Sequence, residues 1–213
     1  MHILERLAIS NLEIFMMMFR YPIGRCLLIT FLLFIDSVQA LELCNYQTNR
    51  ELEACAYTNF KTADKDLNRQ YADAIRSVSQ VDKEALLTAQ RRWIVYKENY
   101  CPETFDAIRD GEEAGIEKWS CLQSVTEMRT RELRYLSQLG GMVEFRKALF
   151  VMASLYENDD SEKVLSKLVA HVPQSTHPDW IKYVEANCKL TASTLHEEHD
   201  YCVARLNFYK NWW

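Results

Sequence analysis

Histidine is missing altogether between Leu41 and Leu139, and the commonest general base of enzyme chemistry is missing with it. Neither GxSxG nor HExxH occurs, so the hydrolase nucleophile elbow and the helical zinc-protease site have no signature here. Five glycines, dispersed over 213 residues, are too few for a phosphate-cradling loop. No CxxC is present, which argues against a zinc knuckle. The formal charge is only −5, and no basic cluster stands apart from acids except the short run Arg129, Arg131 and Arg134. Nucleic acid and anionic membrane surfaces are thereby poor partners. Alternating strand periodicity is absent as well, and nothing in the pattern implies a cofactor or a resident metal.

What is present begins with an export signal. Arg20 and Arg25 precede the apolar run Cys26 to Ile35, and Ser37-Val38-Gln39-Ala40 supplies a cleavage site. The run is about ten residues, half of the roughly 20 needed to span a bilayer, so residues 1–40 read as a removable signal peptide rather than an anchor. Met16, Met17 and Met18 offer later starts that would give the leader an ordinary length. Cleavage leaves 173 residues, enough for one domain of ordinary size or one with an appended half.

Of seven cysteines one lies in the leader, leaving Cys44, Cys55, Cys101, Cys121, Cys188 and Cys202. Six allow fifteen connectivities. Local pairs, Cys44 with Cys55, Cys101 with Cys121 and Cys188 with Cys202, each bracket a turn. They would stabilise an extracytoplasmic protein by about 2–4 kcal/mol apiece.

Helical periodicity runs through the mature chain. Phe60, Ala63, Leu67, Tyr71, Ala74, Ile75 and Val78 make one apolar stripe and predict a helix from Tyr57 to Val78. Leu86, Ala89, Trp93, Tyr96 and Tyr100 make a second, with Asp82 as N-cap and Pro102 ending it. After a loop marked by Gly111 and Gly115, a third stripe extends from Ile116 through Leu136 to a stop at Gly140-Gly141. Three such helices form an antiparallel bundle. Two more, 142–157 and 162–172, are separated by Asn158-Asp159-Asp160. Residues 174–178 then read as a linker.

Beyond that linker a pattern returns. Trp93-Ile94-x-Tyr96-x-Glu98-x-x-Cys101 reappears 87 residues later as Trp180-Ile181-x-Tyr183-x-Glu185-x-x-Cys188, each copy followed by a second cysteine. The C-terminal part, 140–213, thus reads as a helical extension carrying a degenerate second hairpin. The fold class expected is all-α, antiparallel helical hairpins stapled by disulfides.

The stretches 44–71 (CNYQTNRELEACAYTNFKTADKDLNRQY), 89–101 (AQRRWIVYKENYC) and 120–136 (SCLQSVTEMRTRELRYL) resemble the N-terminal-domain family of the lysozyme inhibitor LprI. The resemblance covers about Cys44 to Leu139 and implies an LprI-like helical domain over 41–139, exported to the bacterial periplasm or secreted, whose partner is a lysozyme-like hydrolase. Lys97-Glu98 departs from the usual Arg-Asp. No β periodicity follows Gly141, whereas the eponymous protein carries a second, β-rich domain.

Residual chemistry is sparse. Asp64 with Asp66, or Glu98 with Glu103, would serve a cell-wall hydrolase only if they shared a cleft; solvated helix faces are the plainer reading. His196 and His199, set i, i+3, would hold zinc only if His171 or His177 approached. Trp93 and Tyr96 face the core, and the terminal Trp212-Trp213 is expected to dock on the bundle. The expected function is therefore an exported envelope binding module, which the resemblance implies to be a lysozyme inhibitor, with a carboxylate-dependent cell-wall hydrolase or a structural envelope protein as alternatives. The acidic connection bearing Glu103, Asp106, Asp110, Glu112 and Glu113 is the best electrostatic match to a basic lysozyme.

Overall fold

The computed structural model describes residues 43–106, 108–137, 141–170 and 177–211. The expected leader, His171 and the terminal Trp212-Trp213 lie outside the described residues. Among those described there are helices and no strands.

The first helix, α1 (Asn49–Ser77), starts eight residues before the expected Tyr57. Thr48 supplies the reason: its Oγ1 accepts from Glu51 N at 3.3 Å and donates to the Glu51 carboxylate at 2.6 Å, satisfying an otherwise orphaned donor. Val78 turns extended, and α2 (Gln80–Asp106) follows at once. Its cap is Ser79 and not Asp82. Asp82 N donates to Ser79 Oγ at 3.2 Å while Ser79 donates back to the Asp82 carboxylate at 2.5 Å. Pro102 does not end α2, which continues to Asp106. A proline removes one helical hydrogen bond. That loss falls on an exposed residue within the last turns, next to Cys101, which a disulfide anchors to Cys121.

Helix α3 (Ala114–Ser137) includes Gly115 in its first turn rather than in the loop. It runs alongside α1 in the same direction, so that Glu53 meets Gly115, Tyr57 and Phe60 pack on Trp119 at 4.7 and 5.6 Å, and Asp66 pairs with Arg134. Helices α4 (Gly141–Tyr156) and α5 (Ser161–Ala170) meet at a tight turn in which Asn158 and Asp159 take φ of 52° and 65°. Short polar side chains tolerate that left-handed region best among non-glycine residues. Asp160 then caps α5 through Lys163 N at 2.9 Å.

Pro178 belongs not to a linker but to α6 (Pro178–Leu195), where it occupies the first turn. Its missing N–H is no loss there, and its fixed φ suits the helix. The chain closes with α7 (His199–Asn211). Helices α2 and α6 lie antiparallel. Asp82 meets Ser193 at one end of the pair, and at the other Tyr96 meets Trp180 at 5.2 Å and Asn99 meets Asp179.

One core gathers Leu67, Leu86, Trp93, Tyr96, Leu133, Trp180, Tyr183 and Leu206 from α1, α2, α3, α6 and α7. A second, built from Phe145, Leu149, Val164 and Leu168, seats α4 and α5 against Ala204 of α7. Three disulfides join Cys44 to Cys55, Cys101 to Cys121 and Cys188 to Cys202, with Cα separations of 5.8, 5.7 and 5.6 Å. The last two cross-link the α2–α3 and α6–α7 hairpins, respectively.

A buried polar network crosses the first core. Arg205 holds Glu197 with two parallel bonds of 2.8 and 2.9 Å and also pairs with Glu132; all three side chains are buried. Tyr135 donates to Glu197 at 2.8 Å, and Asn187 donates to Glu132 at 3.1 Å. Asn187 in turn accepts from Arg129 at 2.7 Å. Burial opposes the Arg205 charge, but Glu132 and Glu197 outweigh it and raise its pKa above the ordinary arginine value.

Candidate partner-binding loop

The acidic connection starts inside the last turns of α2 and ends at Ala114. Three backbone bonds fold it into successive turns: Ile108 N to Phe105 O at 3.0 Å, Gly111 N to Ile108 O at 2.8 Å and Ala114 N to Gly111 O at 3.1 Å. The Cys101–Cys121 disulfide fixes the distance between the helices that flank it. The loop is therefore a clamped projection.

Its five acids fare differently. Glu103 faces His177 Nε2 at 3.3 Å, Asp106 pairs with Arg109 at 2.5 Å, and Glu112 accepts from Asn49 Nδ2 at 3.5 Å. Asp110 and Glu113 are exposed and form no ion pair among the described residues. Between them and Asp106 stands Ile108, 41% exposed, an apolar contact within an acidic rim. Contacts to Asn49 of α1 and His177 of α6 brace the loop on two sides.

His177 is the contributor that sequence reasoning missed in this role. It caps α6, its Nδ1 accepting from Asp179 N at 3.2 Å. In the neutral ring the proton therefore sits on Nε2, facing Glu103. The imidazole is buried against the rings of Tyr96 and Tyr100, at 6.0 and 6.2 Å. The only sequence signal was its position before Pro178, an N-cap position where histidine is not among the favoured residues.

The carboxylate pairs weighed for catalysis do not converge. Asp66 spends its oxygens on Arg69 and Arg134, and Asp64 accepts from Asn68 at 3.5 Å. Glu98 and Glu103, five residues apart on α2, point about 140° away from each other. In the groove between α2, α3 and α7, Glu117 and Glu127 lie ten residues apart on α3, a rise of about 15 Å. The two carboxyls of a glycosidase sit roughly 5–10 Å apart.

His196 and His199 do not share a helix face. His196 ends α6 in a left-handed conformation with φ 55°, and His199 opens α7 and contacts Asp200 at 3.2 Å. Glu197 between them turns inward to Arg205. Among the described residues, no group of three or more His, Cys, Asp or Glu side chains could hold a metal ion. No described helix is long and apolar enough to cross a membrane.

An all-helical protein with disulfide-closed hairpins and a braced acidic loop is the class these features define. The sequence profile of the family described as "Lysozyme inhibitor LprI" matches residues 44–133, and the chain belongs to that family. An uncharacterized protein of Rhizobium meliloti (strain 1021) is 30% identical over 101 residues, covering 41% of this chain and 73% of that protein. No solved structure matches the chain. The matched region spans α1, α2, the acidic loop and most of α3.

Proposed function

We propose that the protein is an extracytoplasmic binding module that inhibits a lysozyme-like hydrolase, with the acidic α2–α3 loop as its principal contact. Family membership supports the class of partner. The observation that carries the choice of surface is the clamp: a disulfide, Asn49 and His177 hold acids and the exposed Ile108 in place before any partner arrives. Preorganisation lowers the entropy cost of association. An acidic rim also speeds encounter with a basic protein and weakens with salt.

Export through the expected signal peptide, with the cleavage near Ala40, would place the module in the periplasm or outside the cell. Disulfides persist in those compartments.

The test is inhibition of bacterial cell lysis by a c-type and a g-type lysozyme, alongside binding by calorimetry. Converting Glu103, Asp106, Asp110, Glu112 and Glu113 to their amides should slow association and abolish its salt dependence. Unchanged binding by that variant would reject the loop as the contact. Absence of binding to either lysozyme class would reject the partner.

A further inference from the structure

The α2–α3 and α6–α7 hairpins make matching internal contacts. Trp93 and Trp180 each donate an indole N–H into the following helix, about one turn past its bridged cysteine, to Val125 O at 3.3 Å and Asn207 Oδ1 at 3.2 Å. Arg129 and Lys210 each stand eight residues after that cysteine. Each reaches across to the other hairpin. Arg129 contacts Tyr183 and Asn187 of α6, and Lys210 lies 5.8 Å from the Tyr100 ring of α2. Tyr100 stands 87 residues before Asn187, so the two cations meet corresponding positions.

The two settings differ in what surrounds the charge. Arg129 is fully buried. It donates from Nε to Gln90 at 2.9 Å and from Nη1 to Asn187 at 2.7 Å and Tyr183 at 3.3 Å, while its Nη2 has no partner among the described residues. The positions corresponding to those three are His177, Tyr100 and Tyr96, which pack ring against ring instead. Lys210 keeps a second ring contact, 4.9 Å from Trp180, but neither a hydrogen bond nor an ion pair reaches its Nζ among the described residues. Burial alone lowers its pKa from the ordinary lysine value. Beside it the space opens into a groove of about 430 Å³, whose walls carry Tyr100, Tyr209, Ser120, Ser124 and Arg131. Glu117 and Glu127 are also on the α3 wall, Glu127 accepting from Gln123 at 2.8 Å. Arg131 stacks on Tyr209 at 4.6 Å.

Lys210 is half-buried, and its ammonium at the groove wall has no counter-charge among the described residues, so an anion seated there would gain a charge-assisted bond. Where Arg129 draws its acceptors from the fold, Lys210 faces open space. We propose that the groove between α2, α3 and α7 binds a small organic carboxylate, its charge taken by Lys210 with Arg131 beside it. The body of the ligand would lie on the Tyr100 and Tyr209 rings and hydrogen-bond to Ser120 and Ser124. The groove has room for about one sugar ring or a dipeptide. It is separate from the acidic loop and does not depend on lysozyme binding.

Glucuronate and N-acetyl-alanyl-alanine, each beside its uncharged methyl ester, are the probes. They are titrated into the purified protein by calorimetry and by tryptophan fluorescence, since Trp180 lies under Lys210. At least one acid should bind saturably, with its ester about tenfold weaker or more, the loss of one charge-assisted hydrogen bond. Lys210→Met should erase the preference for acid over ester, and Lys210→Arg should keep it, with both variants unfolding at the parental denaturant midpoint. Binding of one probe alone would assign the sugar or the peptide as source, and binding of both would assign the carboxylate itself. Equal binding of acid and ester, no binding by either acid, or an unchanged preference in Lys210→Met would overturn the proposal.

Discussion

Asn99 on α2 donates from its Nδ2 to Asp179 Oδ2 on α6 across 2.7 Å, and at the far end of the same helix pair Ser193 donates to Asp82. The antiparallel contact between the two hairpins is thus latched at both ends by a carboxylate. Lys182 and then Asn99 hold Asp179 below the usual carboxylate range, and Ser193 and then Ser79 do the same for Asp82.

A folded-state pKa below the unfolded value contributes stability above the unfolded pKa, about 4 for aspartate, and loses it as pH falls through the folded value. The denaturant midpoint should therefore be level near neutrality and fall below about pH 4. Replacing both acids, Asp82→Asn with Asp179→Asn, should flatten that acid limb. An equally steep limb in the double variant would show that other carboxylates govern acid unfolding.

Arg205 offers a larger effect. Removing one member of a buried ion pair leaves its partners charged and dry, at a cost of about 3–5 kcal/mol. Arg205→Met should therefore lower the urea midpoint strongly with little change in slope. A shift under about 1 kcal/mol would mean that water reaches Glu132 and Glu197.

Cross-links stabilise through the loops they close, and only logarithmically with loop length. Cys101 and Cys121 are 20 residues apart, Cys188 and Cys202 are 14 apart. Replacing either pair with serine should cost about 3 kcal/mol by the chain-entropy argument. Only the first replacement should also weaken lysozyme binding, because only that bridge clamps the acidic loop.

The two indole bonds allow a matched comparison. Trp93→Phe removes the indole bond to Val125 O, which keeps its place in the α3 backbone ladder, and Trp180→Phe removes the indole bond to Asn207 Oδ1. Each should cost about 0.5–1.5 kcal/mol in chemical denaturation, the range for the loss of one hydrogen bond. A neutral result for one and not the other would show that the two tryptophans play unequal parts in the core.

The helices and the buried faces of Trp93, Tyr96 and Leu133 were legible because apolar spacing reports them directly. Helix ends were less so. Pro102 was read as a stop by local rules, yet the neighbouring disulfide anchors Cys101 and lets α2 run on to Asp106. Pro178 was read as linker because nothing in the chain identified His177 as a cap. The network of Arg129, Glu132, Glu197 and Arg205 was hidden for a different reason. Charged residues at helical spacing ordinarily mark a wet face, and only the long-range pairing of α3 with α6 and α7 turns these inward. The acids of the loop were visible as composition, but not their division into braced and unpaired members.

The pairing of α2 with α6 has one more consequence. Tyr96 and its neighbours on α2 are covered by Trp180 and its neighbours on α6, in one chain. The flank of α2 that would offer an adhesive surface to a second molecule is already occupied from within. Crowding several copies together would leave that flank silent.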